Sequence, residues 1–202
     1  MDDFQPSRLT FARKLRRMTA TELAKAVGVT SAAVSRWESQ KMAPARTSVV
    51  RMSLALRFPL GFFYGGPLEA IPVDLPTFRA RRSMTAKVRD GACADGEFAI
   101  NLLMPFFRQR FELPKPALPV VAGEMEDSSP AAVATFLRHF WNMGSGPINN
   151  MIHLVEAKGV TVFWLSQNED KVDAFSLWFD EHPYIFLNDG PVDGERERFT
   201  VA

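Results

Sequence analysis

Cysteine is almost absent: Cys93 is the only one in 202 residues. One thiol forms no internal disulfide and no cysteine-built zinc site, and it reads as a small buried residue. Long apolar runs are missing too. None approaches the roughly 18 residues a membrane span needs, and the first 25 residues are too charged for a signal peptide. The expected compartment is the cytoplasm, with no membrane partner. Histidine is scarce: His139, His153 and His182 lie 14 and 29 residues apart, and no pair has the i, i+4 spacing that sets two zinc ligands on one helical turn. Absent as well are a GxxxxGK[ST] phosphate loop, a GxGxxG after a strand and a serine-hydrolase nucleophile elbow. Glu195 and Glu197 flank Arg196 and Arg198 as mixed-charge helix decoration rather than an acid/base pair.

What is present is a charge asymmetry hidden under a net charge of +1. Up to Phe58 the chain has 11 Lys/Arg against four acids, +7, and the remainder carries −6. A basic head in front of an acidic body points to a polyanion that only the head meets. Pro6 to Arg17 shows a helical period, with Leu9, Phe11, Ala12 and Leu15 apolar. Thr19 or Thr21 offers an N-cap, and Glu22 completes a capping box with Thr19. The short helix Glu22–Val27 buries Leu23, Ala24 and Val27 and ends at Gly28, a residue suited to a left-handed terminus. Thr30 caps a helix from Ser31 to about Glu38. Two short helices on a tight glycine turn, with small Ala24 at the crossing and Val34 facing inward, make the core of a helix-turn-helix. Ser31, Ala32, Ser35 and Arg36 then face outward, a small polar surface that fits a major groove roughly 12 Å wide. Arg36 is a candidate to read guanine or, alternatively, to hold a phosphate. Arg13, Lys14, Arg16, Arg17 and Lys41 are candidate phosphate neutralisers.

The stretch LAKAVGVTSAAVSRWESQKMAP, inside roughly residues 6–64, resembles the XRE-type helix-turn-helix of bacterial and phage repressors, whose fold is lambda-repressor-like. That resemblance implies a groove-facing set of Thr30, Ser31, Ala32, Ser35 and Arg36, backbone contacts by Ser39 and Lys41, and a packing role for Trp37. Thr19, Thr21, Arg13 and Arg17 complete the candidate DNA-binding set. Two positions depart from the family: Ala20 stands where many members carry Gln, and Gln40 where a glycine is usual.

Pro59 to Thr77 holds four prolines and three glycines and reads as an extended connector. FRARRSMTAKVRDG follows, read either as a second DNA-facing patch or as a solvated connector stripe, the second being preferred. A helix over Thr85–Phe111, interrupted at Pro105, has Phe98, Leu102, Leu103, Phe106 and Phe107 to bury, in cis or in a two-fold dimer. Beyond LPKPALP, Ser129–Pro130 opens a helix burying Val133, Phe136, Leu137 and Phe140. Gly146–Pro147 starts another, closed by Gly159. Strand-like runs span Val160–Leu165, Val172–Phe179 and Tyr184–Leu187. The phrases GPINNMIHLVEAKGVTVFWL, VDAFSLWFDEHPYIFLND and ERERFTVA resemble the ImmA/IrrE-type zinc metallopeptidase domain. In that family the last phrase runs into an H-E-x-x-H motif, none of whose residues is present in this sequence.

The expected organisation is an XRE-type helix-turn-helix domain over 1–66, a connector with a dimerisation helix over 67–123, and a truncated metallopeptidase-like α+β domain over 124–202. The expected fold is mainly α at the N-terminus, followed by a smaller α+β part with a short antiparallel sheet. The expected function is a sequence-specific, DNA-binding transcriptional regulator, a repressor acting as a homodimer on a double-stranded DNA operator. No enzymatic activity, catalytic residue, metal ligand or cofactor is expected of the chain as written. The alternative is the N-terminal fragment of a longer zinc-dependent endopeptidase that its DNA-binding domain targets. A third reading is an interaction module taking a protein partner through Trp164, Phe175, Trp178 and Phe186.

Overall fold

The computed structural model describes residues 3–72, 74–80, 84–119, 129–165 and 172–188. Helices α1 (Pro6–Leu15), α2 (Ala20–Val27), α3 (Ser31–Glu38) and α4 (Arg46–Leu56) are followed by a 3-10 turn over Leu60–Tyr64. They enclose one core in which Leu9, Leu23, Val34, Met52, Leu56 and Phe63 are completely buried. Strand β1 (Thr77–Ala80) and helix α5 (Ala86–Phe98) come next. A π-helical segment, Ala99–Leu103, leads into α6 (Met104–Arg108). Helices α7 (Pro130–Phe140) and α8 (Met151–Ala157) and strands β2 (Thr161–Leu165), β3 (Val172–Phe179) and β4 (His182–Asn188) complete the described elements. Among the described residues no helix is long and apolar enough to cross a membrane.

The C-terminal sheet is mixed rather than antiparallel. Its order is β1-β3-β4-β2, with β2 parallel to β4 and the other two pairings antiparallel. Because β3 already has β1 on one edge and β4 on the other, β2 joins the free edge of β4. The β3–β4 hairpin turns on Asp180 (φ 49°) and Glu181 (φ 57°), both left-handed as a two-residue turn requires. β1 falls within the stretch that reads as a cationic connector. Its four residues are few to signal a strand, and Phe78 opposite Phe175, rings 5.1 Å apart, holds the register.

The strand period of two divides the sheet's residues. Phe175 and Phe186, stacked with centroids 4.5 Å apart, join Tyr184 and Leu177 in a second core against Ala92, Ala99, Ile100 and Met104 of the α5–α6 helix. Trp164 and Trp178 stand on the opposite face, 45% and 50% exposed. The four aromatics of the interaction-module reading thus lie on two faces.

The α5–α6 helix also differs from its expected stripe. Phe98 and Leu102 pack on the N-terminal core, whereas Phe106 and Phe107 are 52% and 37% exposed. Pro105 offers no N–H to the turn before it, and the π turn there shifts the phase of the residues beyond, so that Met104 becomes the buried one. In α7, Phe140 is likewise exposed rather than buried. Helix α8 begins at Met151 under an Asn150 cap, not at Gly146–Pro147. Ser129 does cap α7, accepting from the Ala132 N–H with Pro130 at the first helical position.

Candidate nucleic-acid interface

The interface is built from helix ends. Thr19 Oγ1 accepts from the Glu22 N–H at 3.1 Å and the Thr19 N–H donates to Glu22 Oε2 at 2.6 Å, a complete capping box that fixes where α2 starts. The Thr19 N–H, with Lys87 Nζ at 3.1 Å, holds the Glu22 carboxyl down at about pH 2. Thr21, in the first turn, is exposed. Helix α2 closes on Gly28 at φ 75°, and the Thr30 hydroxyl then accepts from the Ala33 N–H at 3.2 Å to start α3. The turn between the helices is therefore fixed at both ends by sequence-local bonds.

Val34 (0% exposed) and Trp37 (3%) pin the inner face of α3 to the core. Thr30, Ser31, Ala32, Ser35 and Arg36 are all exposed, so the structure brings this set together on one surface. The helix ends at Ser39, whose hydroxyl donates to the Arg36 carbonyl, and Gln40 adopts φ 60° where a glycine would sit without strain. Lys41 follows, exposed, its N–H on the Arg36 carbonyl at 2.9 Å. Among the described residues the Arg36 and Lys41 side chains have no hydrogen-bond or ion-pair partner.

The basic residues of α1 are placed differently. Arg13 grips Glu38 with both prongs, Nε to Oε1 at 2.6 Å and Nη2 to Oε2 at 2.9 Å, and its third nitrogen reaches the Met18 carbonyl. It ties α1 to the end of α3. Arg16 Nε donates to the Leu56 carbonyl at 2.7 Å, its guanidinium over the Phe58 ring. Arg17 Nη2 meets Asp95 Oδ2 of α5 at 2.6 Å. Sequence reading groups these cations with Lys41 because charge counts do not show which carboxylate or carbonyl lies opposite.

It also leaves out Arg46. Ala45 precedes α4 without a side-chain cap, and no acid stands in the first turn, so a positive helix end and the exposed Arg46 lie beyond the α3 terminus. The signal in the sequence is the pair Ala45–Arg46 where a capping residue would ordinarily stand.

Cys93 is buried, which pushes its thiol up to about 11. Glu97 is 7% exposed and accepts from the Ile71 N–H at 3.1 Å, burial raising its carboxyl. His139 and His153 are exposed on α7 and α8, and His182 bonds Thr161 Oγ1 at 2.8 Å across the β2–β4 pair. Glu195 and Glu197 lie outside the described residues.

An outward-facing, doubly capped helix, steadied by the helix before it and flanked by open cations, is the arrangement that enters a DNA groove. No curated protein and no solved structure matches the chain. Residues 11–63 match a helix-turn-helix family model, HTH_3, a match that supports a DNA-binding helix-turn-helix of the XRE type over that stretch.

Proposed function

We propose that the chain is a sequence-specific transcriptional regulator that represses by occupying its operator as a homodimer. The observation that carries this reading is Arg36, unpartnered among the described residues, on the exposed face of a helix whose opposite face is locked by Val34 and Trp37. A free guanidinium on a fixed helix face can read guanine O6 and N7 with two bonds, about 1–3 kcal/mol of discrimination. Ser31, Ala32 and Ser35 are short enough to let the backbone approach the base edges, while Lys41, Ser39 and Arg46, exposed at and after the end of α3, are the phosphate contacts of this reading. Phe106, Phe107 and Phe111, exposed together on and after α6, support a two-fold contact between copies. In this reading the described residues bind, and no catalytic step is assigned to them.

The test is selection of a preferred duplex from a random library, followed by titration of that duplex and a scrambled one. Arg36→Ala is expected to weaken the selected duplex by about 1–3 kcal/mol and the scrambled one far less. Lys41→Ala should weaken both equally and reduce the slope of log K against log salt by about 0.9. No enrichment, together with salt-insensitive binding, would sink the reading.

A further inference from the structure

A cavity of about 660 Å³ lies between helices α7 and α8 and the sheet face opposite the second core. That volume falls within the roughly 300–1,000 Å³ of small-molecule sites. Its walls are apolar: Leu137 from α7 and Trp141 just after it, Met151 and Leu154 from α8, Trp178 and Ile185 from the strands. Helix α7 itself buries none of its residues fully, because the space beneath it is not filled by side chains of the sheet.

One cation belongs to this lining. Arg138, half-buried, donates from Nη1 to the carbonyls of Gly144 at 2.8 Å and Gly146 at 3.0 Å. The turn after α7 thus holds its guanidinium in place while using a single nitrogen. No carboxylate among the described residues pairs with it. A fixed cation with spare N–H donors on an apolar wall is complementary to an anion carrying an apolar body. A neutral apolar molecule would leave those donors unused, and a cationic one would be repelled.

We propose that this cavity is a binding site for a small amphiphilic carboxylate, its carboxylate on Arg138 and its hydrocarbon part along Leu137, Trp141 and Ile185. The site lies outside the helix-turn-helix domain and is measured without DNA, so the proposal stands independently of the regulator reading.

The probes are decanoate and decanol, matched in chain length and differing in charge, each titrated into the full chain below the concentration at which it aggregates. Trp141 and Trp178 in the wall give a fluorescence readout, and calorimetry gives the stoichiometry. Decanoate is expected to bind saturably at one per chain and at least tenfold more tightly than decanol. Arg138→Gln should weaken decanoate about tenfold and leave decanol unchanged. Because that variant also loosens the Gly144–Gly146 turn, Ala134→Trp provides the second check: it fills the cavity from an exposed position of α7 and should abolish binding of both probes with the circular dichroism unaltered. Equal affinities for the two probes, no saturable binding, or decanoate binding that survives both variants would overturn the proposal. So would sedimentation showing a dimer that Ala134→Trp breaks and decanoate does not, since the occupant would then be a second copy.

Discussion

Arg13 and Arg36 carry the same guanidinium 23 positions apart and meet opposite surroundings. Arg13 is mostly covered and bidentate on Glu38, with a side-chain exposure of 14%. Removing it leaves the Glu38 carboxylate half-buried and unpaired, which costs more than the net worth of the bond itself. Arg13→Ala is therefore expected to lower the unfolding free energy by about 1–3 kcal/mol, read from the guanidinium chloride midpoint. Glu38→Ala in the same background should cost less than it does alone. A variant as stable as the parent, with a reduced salt slope for DNA, would instead return Arg13 to the phosphate-contacting set.

At the scale of elements, the helix ends show how one backbone conformation is met by two residue types. Gly28 closes α2 at φ 75° and Gln40 follows α3 at φ 60°. A left-handed residue with a side chain costs roughly 1–2 kcal/mol, offset for glycine by about 0.4–1 kcal/mol of greater chain entropy in the unfolded state. Gln40→Gly is thus expected to stabilise the domain by about 0.5–1 kcal/mol, and Gly28→Ala to destabilise it by a similar amount, both followed by thermal unfolding. At Gly28 an added Cβ would meet Arg51 Nη1 only at 3.5 Å, so the cost there is conformational rather than steric. A destabilising Gln40→Gly would mean that the Gln side chain contributes contacts outweighing the strain.

The whole molecule turns on how α5 meets both cores. Phe98 and Leu102 press on the helix-turn-helix core, Ala92 and Ile100 on the sheet core, and the ion pairs Arg17–Asp95 and Lys87–Glu22 lie along the first contact. The connector between the two regions is a packed element, with the Leu68 N–H on Ser7 Oγ and the Ile71 N–H on buried Glu97. Gly91 is the closest point of approach: a Cβ there would run into the Arg17 side chain. Gly91→Ala is expected to push Arg17 off Asp95 and loosen α5 from α1. Hydrogen exchange should then rise along α5 while protection of α2 and α3 persists. Unchanged protection of α5 would show that Arg17 relocates without cost.

Much of the helix-turn-helix was legible without coordinates, because its instructions are local. Thr19 with Glu22, Gly28 and Thr30 act through bonds spanning a few residues, and Val34 sets the inner face of α3 by helical period, with the packing of Trp37 implied by the family resemblance. The outward set of Ser31, Ala32, Ser35 and Arg36 follows from that periodicity. The cations were the illegible part: whether Arg13, Arg16 and Arg17 face water or a partner depends on Glu38, Leu56 and Asp95, which are 25, 40 and 78 residues away. The sheet was illegible for the same reason. Four-residue β1 is a strand only because β3 lies beside it, and β2 pairs with β4 because both edges of β3 were taken. Sequence determined the segments whose signals are local, α1 to α3 above all; tertiary structure made a strand of β1 and decided which segments share a surface, since contacts between distant residues carry no periodic signature along the chain.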